Sequence, residues 1–185
     1  MQALLDTIEA LLPYAAPLVA IDGPCGAGKS SLAEHLKKRW PDAEVIHMDD
    51  FFLRPGQRTQ ERLSLPGGNI DHERFLEEVL LPLAEGKEFT YHMFSCRDNS
   101  LSPRLVKRAP LYLIEGSYSL HPALRDHYDI KVFLDIDPEE QAQRILKREG
   151  DRAVNFFRQW IPMENRYFDA CGVRECSDFL LSKNS

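Results

Sequence analysis

The chain has 185 residues, 43% of them apolar and 28% charged, with a formal net charge of −6. Those values describe one ordinary globular domain with a sizeable core and exclude a fibrous or disordered chain. The negative balance argues against a nucleic-acid partner held by a broad basic field, so small molecules are the expected ligands.

Leu4, Leu5, Ile8, Leu11 and Leu12 recur at helical spacing within residues 2–12 and predict a short amphipathic helix. Pro17-Leu18-Val19-Ala20-Ile21-Asp22 reads as a strand buried on both faces. Directly after it, Gly23-Pro24-Cys25-Gly26-Ala27-Gly28-Lys29-Ser30 spells G-x-x-x-x-G-K-[ST], the pattern of a loop that cradles phosphates. The glycines Gly23, Gly26 and Gly28 let the backbone curl so that N–H groups face an anion, and the helix that follows offers its positive end to the same charge. A nucleoside triphosphate is therefore the expected ligand of Gly23, Cys25, Gly26, Ala27, Gly28, Lys29, Ser30 and Ser31. Lys29 would reach the β and γ phosphates, and Ser30 would give its hydroxyl to the magnesium ion that accompanies them.

Leu32, Leu36 and Trp40 continue the helix, with Lys37, Lys38 and Arg39 at its C-terminal end before Pro41. Residues 43–48 read as a second strand, followed by Asp49-Asp50-Phe51-Phe52. A carboxylate at a strand end facing a magnesium nucleotide can take the proton of an attacking hydroxyl, which makes Asp49 the candidate base; a simple turn cap is the alternative. Asp71 precedes a helix carrying Phe75, Leu76, Val79 and Leu83, where aspartate is a favoured cap.

Leu111-Tyr112-Leu113-Ile114 reads as a third strand ending in Glu115-Gly116. Glu115 fits a magnesium-holding role, or a structural acid at a strand end. Ile130–Leu134 and a short Asp178–Leu181 supply two more strands. Alternation of strand and helix means right-handed crossovers and a parallel sheet with helices on both faces, with ligands collecting at the carboxyl ends of the strands. Between Asp137 and Arg152 a helix starts with Asp137 as cap and Pro138 at its first position, and continues basic through Arg144, Lys147 and Arg148 on one face, with Arg152 just beyond after Gly150. Such a run is either a solvated face or the arginine-bearing flap that closes over a transferring phosphoryl group.

The phosphate loop, Asp49-Asp50-Phe51-Phe52, Ile70-Asp71-His72, Leu113-Ile114-Glu115-Gly116 and the arginine-bearing segment follow in the order seen in the uridine kinase family of nucleoside kinases, which the chain resembles from Leu18 to Leu181. The resemblance implies a three-layer α/β/α fold of the P-loop NTPase kind, with a five-stranded, mainly parallel sheet and a helical lid. It also implies ATP and Mg²⁺ as cofactors and transfer of a phosphoryl group to the primary hydroxyl of a nucleoside, uridine first. The acceptors of the related nicotinamide riboside and pantothenate kinases stand as alternatives, as does a nucleotide-dependent switch of another class. By that resemblance Asp49 matches the catalytic aspartate, Lys29 the phosphate lysine, Ser30 and Glu115 (with Asp49) the metal environment, and Arg148 and Arg152 the lid. Asp71 falls where relatives hold the ribose hydroxyls, and Phe52, Tyr91, His92 and Arg97 lie where the acceptor is read. Asp49-Asp50-Phe51-Phe52 departs from the Asp-Ser-Phe-Tyr usual in uridine kinases towards the nicotinamide riboside enzymes, and the base-reading histidine has no match at its usual place.

The expected organisation is a single kinase domain over 1–185, with an N-terminal helix at 1–13, an acceptor-binding insert at about 50–110 and a lid at about 144–160. The longest apolar stretch, Leu11 to Ile21, is interrupted by Pro13 and Pro17, is too short to span a bilayer, and lacks the basic start of a secretory signal. No membrane partner is expected, the expected compartment is the cytoplasm, and a homo-oligomer is compatible with the chain. Cys25, Cys96, Cys171 and Cys176 lack C-x-x-C spacing and disulfide-scaffold density, so reduced thiols are expected, with Cys25 at a helix N-terminus open to activation or simply filling a variable loop position.

Overall fold

A computed structural model of the chain describes residues 1–182. Among the described residues there are seven strands: β1 (Leu18–Asp22), β2 (Glu44–His47), β3 (Phe89–Phe94), β4 (Leu101–Val106), β5 (Tyr112–Glu115), β6 (Ile130–Leu134) and β7 (Phe179–Leu181). Five of them form one parallel sheet in the order β2-β5-β1-β6-β7, and β3 pairs with β4 as a separate antiparallel hairpin. All five strands expected from the sequence are present, and the α/β/α arrangement stands.

The period of two along each strand divides the interior into two cores. Val19 and Ile21 of β1, Leu113 of β5 and Val132 of β6 face helices α1 (Gln2–Leu11) and α2 (Lys29–Arg39), where Leu4, Ile8, Leu32 and Leu36 are buried against them. Ala20, Ile46, Ile114 and Phe133 point the other way, into Phe51, Phe75, Val79, Tyr91, Tyr118, Tyr167 and Phe168. Burying a leucine- or phenylalanine-sized side chain is worth about 1.5–3 kcal/mol, so neither layer is dispensable.

The hairpin β3–β4 has no counterpart among the expected strands. It packs on the second core through Tyr91 and Val106, both fully buried, while Leu101 and Leu105 of β4 remain exposed. With Pro103 inside β4 and the exposed or intermediate run Leu101 to Leu105, its pattern is too weak for reading from sequence.

The basic helix is Pro138–Glu149, between the Asp137 cap and Gly150 as expected, with Arg152 beyond it. Asp137 caps it by accepting from the Glu139 and Glu140 amides. It ends at Gly150, whose φ of 56° a side chain would strain, and a second helical run follows over 153–171. Two helical runs contain a wide π-type turn, at Leu76–Leu80 and Phe156–Trp160. Each turn ends two residues before a proline, Pro82 or Pro162. Proline offers no N–H and crowds the carbonyl one turn back, and widening the turn is how the helix continues past it.

At the junction of these layers His72 and His121 stack with ring centroids 4.1 Å apart. Burial, joined by the neighbouring His72 and Arg62 charges, lowers the His121 pKa to about 4, and burial also lowers that of His72. His121 Nδ1 accepts from the Ala123 amide, as a neutral ring does. The folded-state pKa lies below the ordinary 6.5, so the stability this pair contributes is complete above pH 6.5 and is lost as the pH falls towards 4, because the unfolded chain takes up protons that the folded chain refuses. His121→Gln is expected to flatten the fall in unfolding free energy between pH 6.5 and pH 4, measured by urea titration at several pH values; an unchanged slope overturns this reading.

Candidate active site

The phosphate loop is held from outside. Its five consecutive carbonyls from Gly23 to Ala27 are each satisfied by a side chain: Lys29 Nζ donates to Gly23 O (2.7 Å) and Pro24 O (3.0 Å), Gln141 Nε2 to Cys25 O (2.8 Å), and Arg144 Nη1 to Gly26 O (2.8 Å) and Ala27 O (3.2 Å). The Gly23, Cys25 and Ala27 amides are bonded to Asp22, Glu164 and Pro24 O, so the amides left for the concave side are those of Gly26, Gly28 and the first turn of α2. Gly23 has φ 139°, and a Cβ there would lie 2.2 Å from Leu134 O, so the loop can leave β1 beside β6 only as glycine.

Asp22, the last residue of β1, is fully buried and takes four hydrogen bonds: from the Gly23 and Tyr118 amides on Oδ1, and from the Leu120 amide and the Tyr167 hydroxyl on Oδ2. It thereby fixes the start of the phosphate loop to the loop after β5 and to the Ile161–Cys171 helix. Burial pushes its pKa up to about 6 despite those donors. A carboxylate closing an all-apolar strand just before a phosphate loop was the available signal in the sequence, and it went unread.

On the other side, the tips of β2 and β5 bring acids together. Ser30 Oγ donates to Glu115 Oε2 (3.1 Å), and His47 Nδ1 meets Glu115 Oε1 at 2.6 Å. The bond to Glu115 raises the His47 pKa, so His47 is drawn towards its protonated, donating form. Gly116 turns the chain away at φ 141° where a Cβ would press within 2.7 Å of Met48. Asp49, in the short turn Met48–Phe51, opens onto the same space. Its carboxylate is reached by solvent from the cavity yet walled by protein. That partial burial raises its pKa, as do Glu115 and Asp50, while Lys29 and His47 oppose the rise.

Lys29, Ser30, Asp49, Glu115 and Gly116 open into one cavity of about 900 Å³. Of the sequence candidates it is lined by Cys25, Gly26, Gly28, Lys29, Ser30, Ser31, Asp49, Phe52, Glu115 and Arg148. Gly23 and Ala27 shape the loop without facing it. Arg148 reaches the cavity beside Phe156 and Trp160, whereas Arg152 stays outside, its side chain 78% exposed and paired with Glu149.

Four acceptor candidates are not brought to the cavity. Asp71 caps the 72–84 helix through the Arg74 amide and takes Gln57 Nε2 (2.8 Å), which leaves it 3% exposed. Tyr91 is fully buried; its hydroxyl donates to Asp50 Oδ2 (2.6 Å) and accepts from Arg104 Nη1 (2.7 Å), so packing claims it. His92 lies outward against Glu78, and Arg97 sits in the exposed tip of the hairpin. The Cys25 thiol is not activated either: burial, then the nearby Glu164, push its pKa up to about 12.

Glu164 and Ser117 line the cavity beside the phosphate loop without having been candidates from the sequence. Glu164, 5% exposed, accepts from the Cys25 amide (2.9 Å) and from Ser117 Oγ (2.7 Å), and Ser117 Oγ in turn accepts from Lys29 Nζ (3.1 Å). Both positions are unremarkable in sequence, a glutamate in a charged helix and a serine after a glycine, and only the fold makes them neighbours of the phosphate loop.

These features define a P-loop kinase fold with its acids gathered at the carboxyl ends of parallel strands. The model of the phosphoribulokinase/uridine kinase family matches residues 18–154, and the chain belongs to that family. It is a kinase, and kinases of this family use ATP. A uridine kinase of Streptococcus agalactiae serotype V is 26% identical over 178 residues, covering 82% of this chain and 84% of that protein. A uridine kinase of Alkaliphilus metalliredigens is 28% identical over 144 residues, covering 71% and 67%. Among solved structures, one described as a possible uridine kinase from Bacillus stearothermophilus superposes with a TM-score of 0.70 at 20% identity over 97% of this chain and 99% of that one. D-glycerate 3-kinase from Cryptococcus neoformans gives 0.64 at 14% identity, over 91% and 88%. These likenesses show the fold.

Glu164→Gln presents an amide N–H to one of two donors, and is expected to lower unfolding free energy by about 1–3 kcal/mol in denaturant titration. An unchanged midpoint and slope would remove Glu164 from the scaffold of the loop.

Proposed function

We propose that the chain transfers the γ-phosphoryl group of ATP to the primary hydroxyl of a nucleoside, uridine first. The observation that carries this is the single cavity in which Lys29, Ser30, Glu115 and Asp49 converge. The loop amides and Lys29 hold the phosphates, and Asp49 accepts the proton of the attacking hydroxyl as its oxygen bonds to phosphorus and the bond to the β-phosphate oxygen breaks. A carboxyl whose pKa burial has raised is suited to accepting a proton near neutrality. Arg148, on the flap at about 144–160, balances the charge spread over the transferring group.

The donors also fit a hard cation. A serine hydroxyl already bonded to a carboxylate, with a second carboxylate across the cavity, is an all-oxygen set suited to magnesium. Among the described residues no three His, Cys, Asp or Glu side chains cluster to hold a metal by themselves, in keeping with an ion that arrives on the nucleotide and keeps several waters. Ser30, Glu115 and Asp49 would hold it, and it would supply charge neutralisation to the phosphates.

The whole chain is read as a single kinase domain, with the segment at about 50–110 as its acceptor insert. No helix of the described residues is long and apolar enough to cross a membrane, and the cytoplasm remains the proposed compartment.

A second reading, a different small alcohol such as nicotinamide riboside or a pantothenate-like acceptor, is favoured by one observation: Asp71, Tyr91, His92 and Arg97 do not line the cavity. Purified protein with ATP, Mg²⁺ and uridine, nicotinamide riboside or pantothenate separates the two by which acceptor releases ADP fastest. Asp49→Asn is expected to keep ATP affinity and lose about 10²–10⁴-fold in turnover. Turnover at the parental rate removes Asp49 as the base.

A further inference from the structure

Asn69 lies in the loop before the 72–84 helix and lines the cavity, yet is only 5% exposed. Its carbonyl oxygen Oδ1 is buried and has no hydrogen-bond partner. An acceptor atom held away from water without a donor costs about 1–3 kcal/mol, and native proteins tolerate few such groups. The Asn69 amide neighbours the Tyr118 hydroxyl, and Oδ1 is the end of it left without a partner.

The position of this amide relative to the reacting groups is set by backbone. Phe52 and Ile70 form an antiparallel bridge, the Leu53 amide donates to Asn69 O (3.2 Å), and the Asp71 amide donates to Phe51 O (2.7 Å). The turn bearing Asp49 and the loop bearing Asn69 are thus tied together by backbone hydrogen bonds. Gly68 is enclosed, since a Cβ there would meet Arg62 O at 1.9 Å. Tyr118 has a φ of 75°, a strained conformation for a residue with a large side chain, and such strain persists where surrounding structure over-determines a site. Phe52, Leu53, Leu63 and Tyr118 line the same cavity, apolar or aromatic surfaces suited to a ring or carbon skeleton, and Arg58 and Cys96 add polar groups to it.

We propose that Asn69 is a specificity-determining residue of the acceptor site, its Oδ1 taking a hydrogen bond from an O–H or N–H of the phosphoryl acceptor while Tyr118 holds the amide in orientation. The inference rests on the kinase reading above and replaces the acceptor contacts that Asp71 and Tyr91 do not make. A neutral oxygen in an apolar pocket discriminates by leaving itself unpaired when the wrong acceptor enters, which rejects an analogue lacking the donor far more strongly than one lacking a methylene.

The test is steady-state kinetics of the full chain with ATP and Mg²⁺, using uridine, nicotinamide riboside and pantothenate, and with uridine also its 3-methyl, 2′-deoxy and 3′-deoxy analogues. Asn69→Ala is expected to lower kcat/KM about 10- to 100-fold for the acceptor that the parent protein prefers, with KM for ATP unchanged within about twofold. If uridine is that acceptor, one analogue costs the parent protein a similar factor and costs Asn69→Ala nothing further, the signature of a direct contact. Tyr118→Phe, which keeps the ring, is expected to lose a smaller factor of about 3–10 in the same parameter, and decides the matter if Asn69→Ala does not fold. Turnover of a preferred acceptor that neither variant alters overturns the role of Asn69 and leaves the kinase standing. An analogue penalty that persists undiminished in Asn69→Ala overturns it too. No turnover with any acceptor overturns the kinase reading, and this inference with it.

Discussion

A curled backbone that points its amides inward must do something with its carbonyls, and the outward satisfaction of those five oxygens is the constraint on which the rest of the molecule depends. Left unpaired in a partly buried loop, each would cost about as much as a lost hydrogen bond. Lys29 covers two, and the Pro138–Glu149 helix covers the remaining three through Gln141 and Arg144. That helix must therefore dock against the loop, and β6 must run close enough to deliver it. The contact of Gly23 with Leu134 O is the mark of that closeness.

The same demand explains the buried carboxylates. Asp22 gathers three amides and a hydroxyl, and Glu164 takes the Cys25 amide and Ser117. Neither group is a simple ion pair. Both are anchors that draw separate segments, the loop after β5 and the 153–171 run, onto the phosphate loop. The raised pKa of Asp22 measures the cost of keeping such an anchor dry, and the tyrosine and amide donors offset part of it. A rigid loop backed on three sides leaves one open side, and there the tips of β2 and β5 present Asp49 and Glu115 beside Ser30.

The acceptor side is built by different physics. Asp71, positioned by sequence order for a ligand, is drawn into a cap by the helix that begins at His72, whose first amides need an oxygen. Tyr91 is drawn inward by Phe51, with which it stacks at 5.2 Å, and by the Asp50 and Arg104 hydrogen bonds. What faces the cavity includes Asn69 with its unpaired oxygen, Tyr118, the apolar side chains of Phe52, Leu53 and Leu63, and the polar groups of Arg58 and Cys96.

The amino-acid sequence by itself determined the elements whose cause is local or periodic. These are the five sheet strands with their apolar runs, the glycine-rich loop that only a positive φ permits, the Asp137-Pro138 helix start, and the acids placed at strand ends by position in the chain. Only the tertiary structure decided what long-range contact creates. The hairpin β3–β4 exists because a core face receives Tyr91 and Val106. Glu164 and Ser117 meet across 47 residues, and Asn69 faces the cavity because the loop before the 72–84 helix bridges to Phe52. Hydrogen-bond partners so far apart leave no spacing to read, since their proximity follows from the packing of layers and not from the period of any one element.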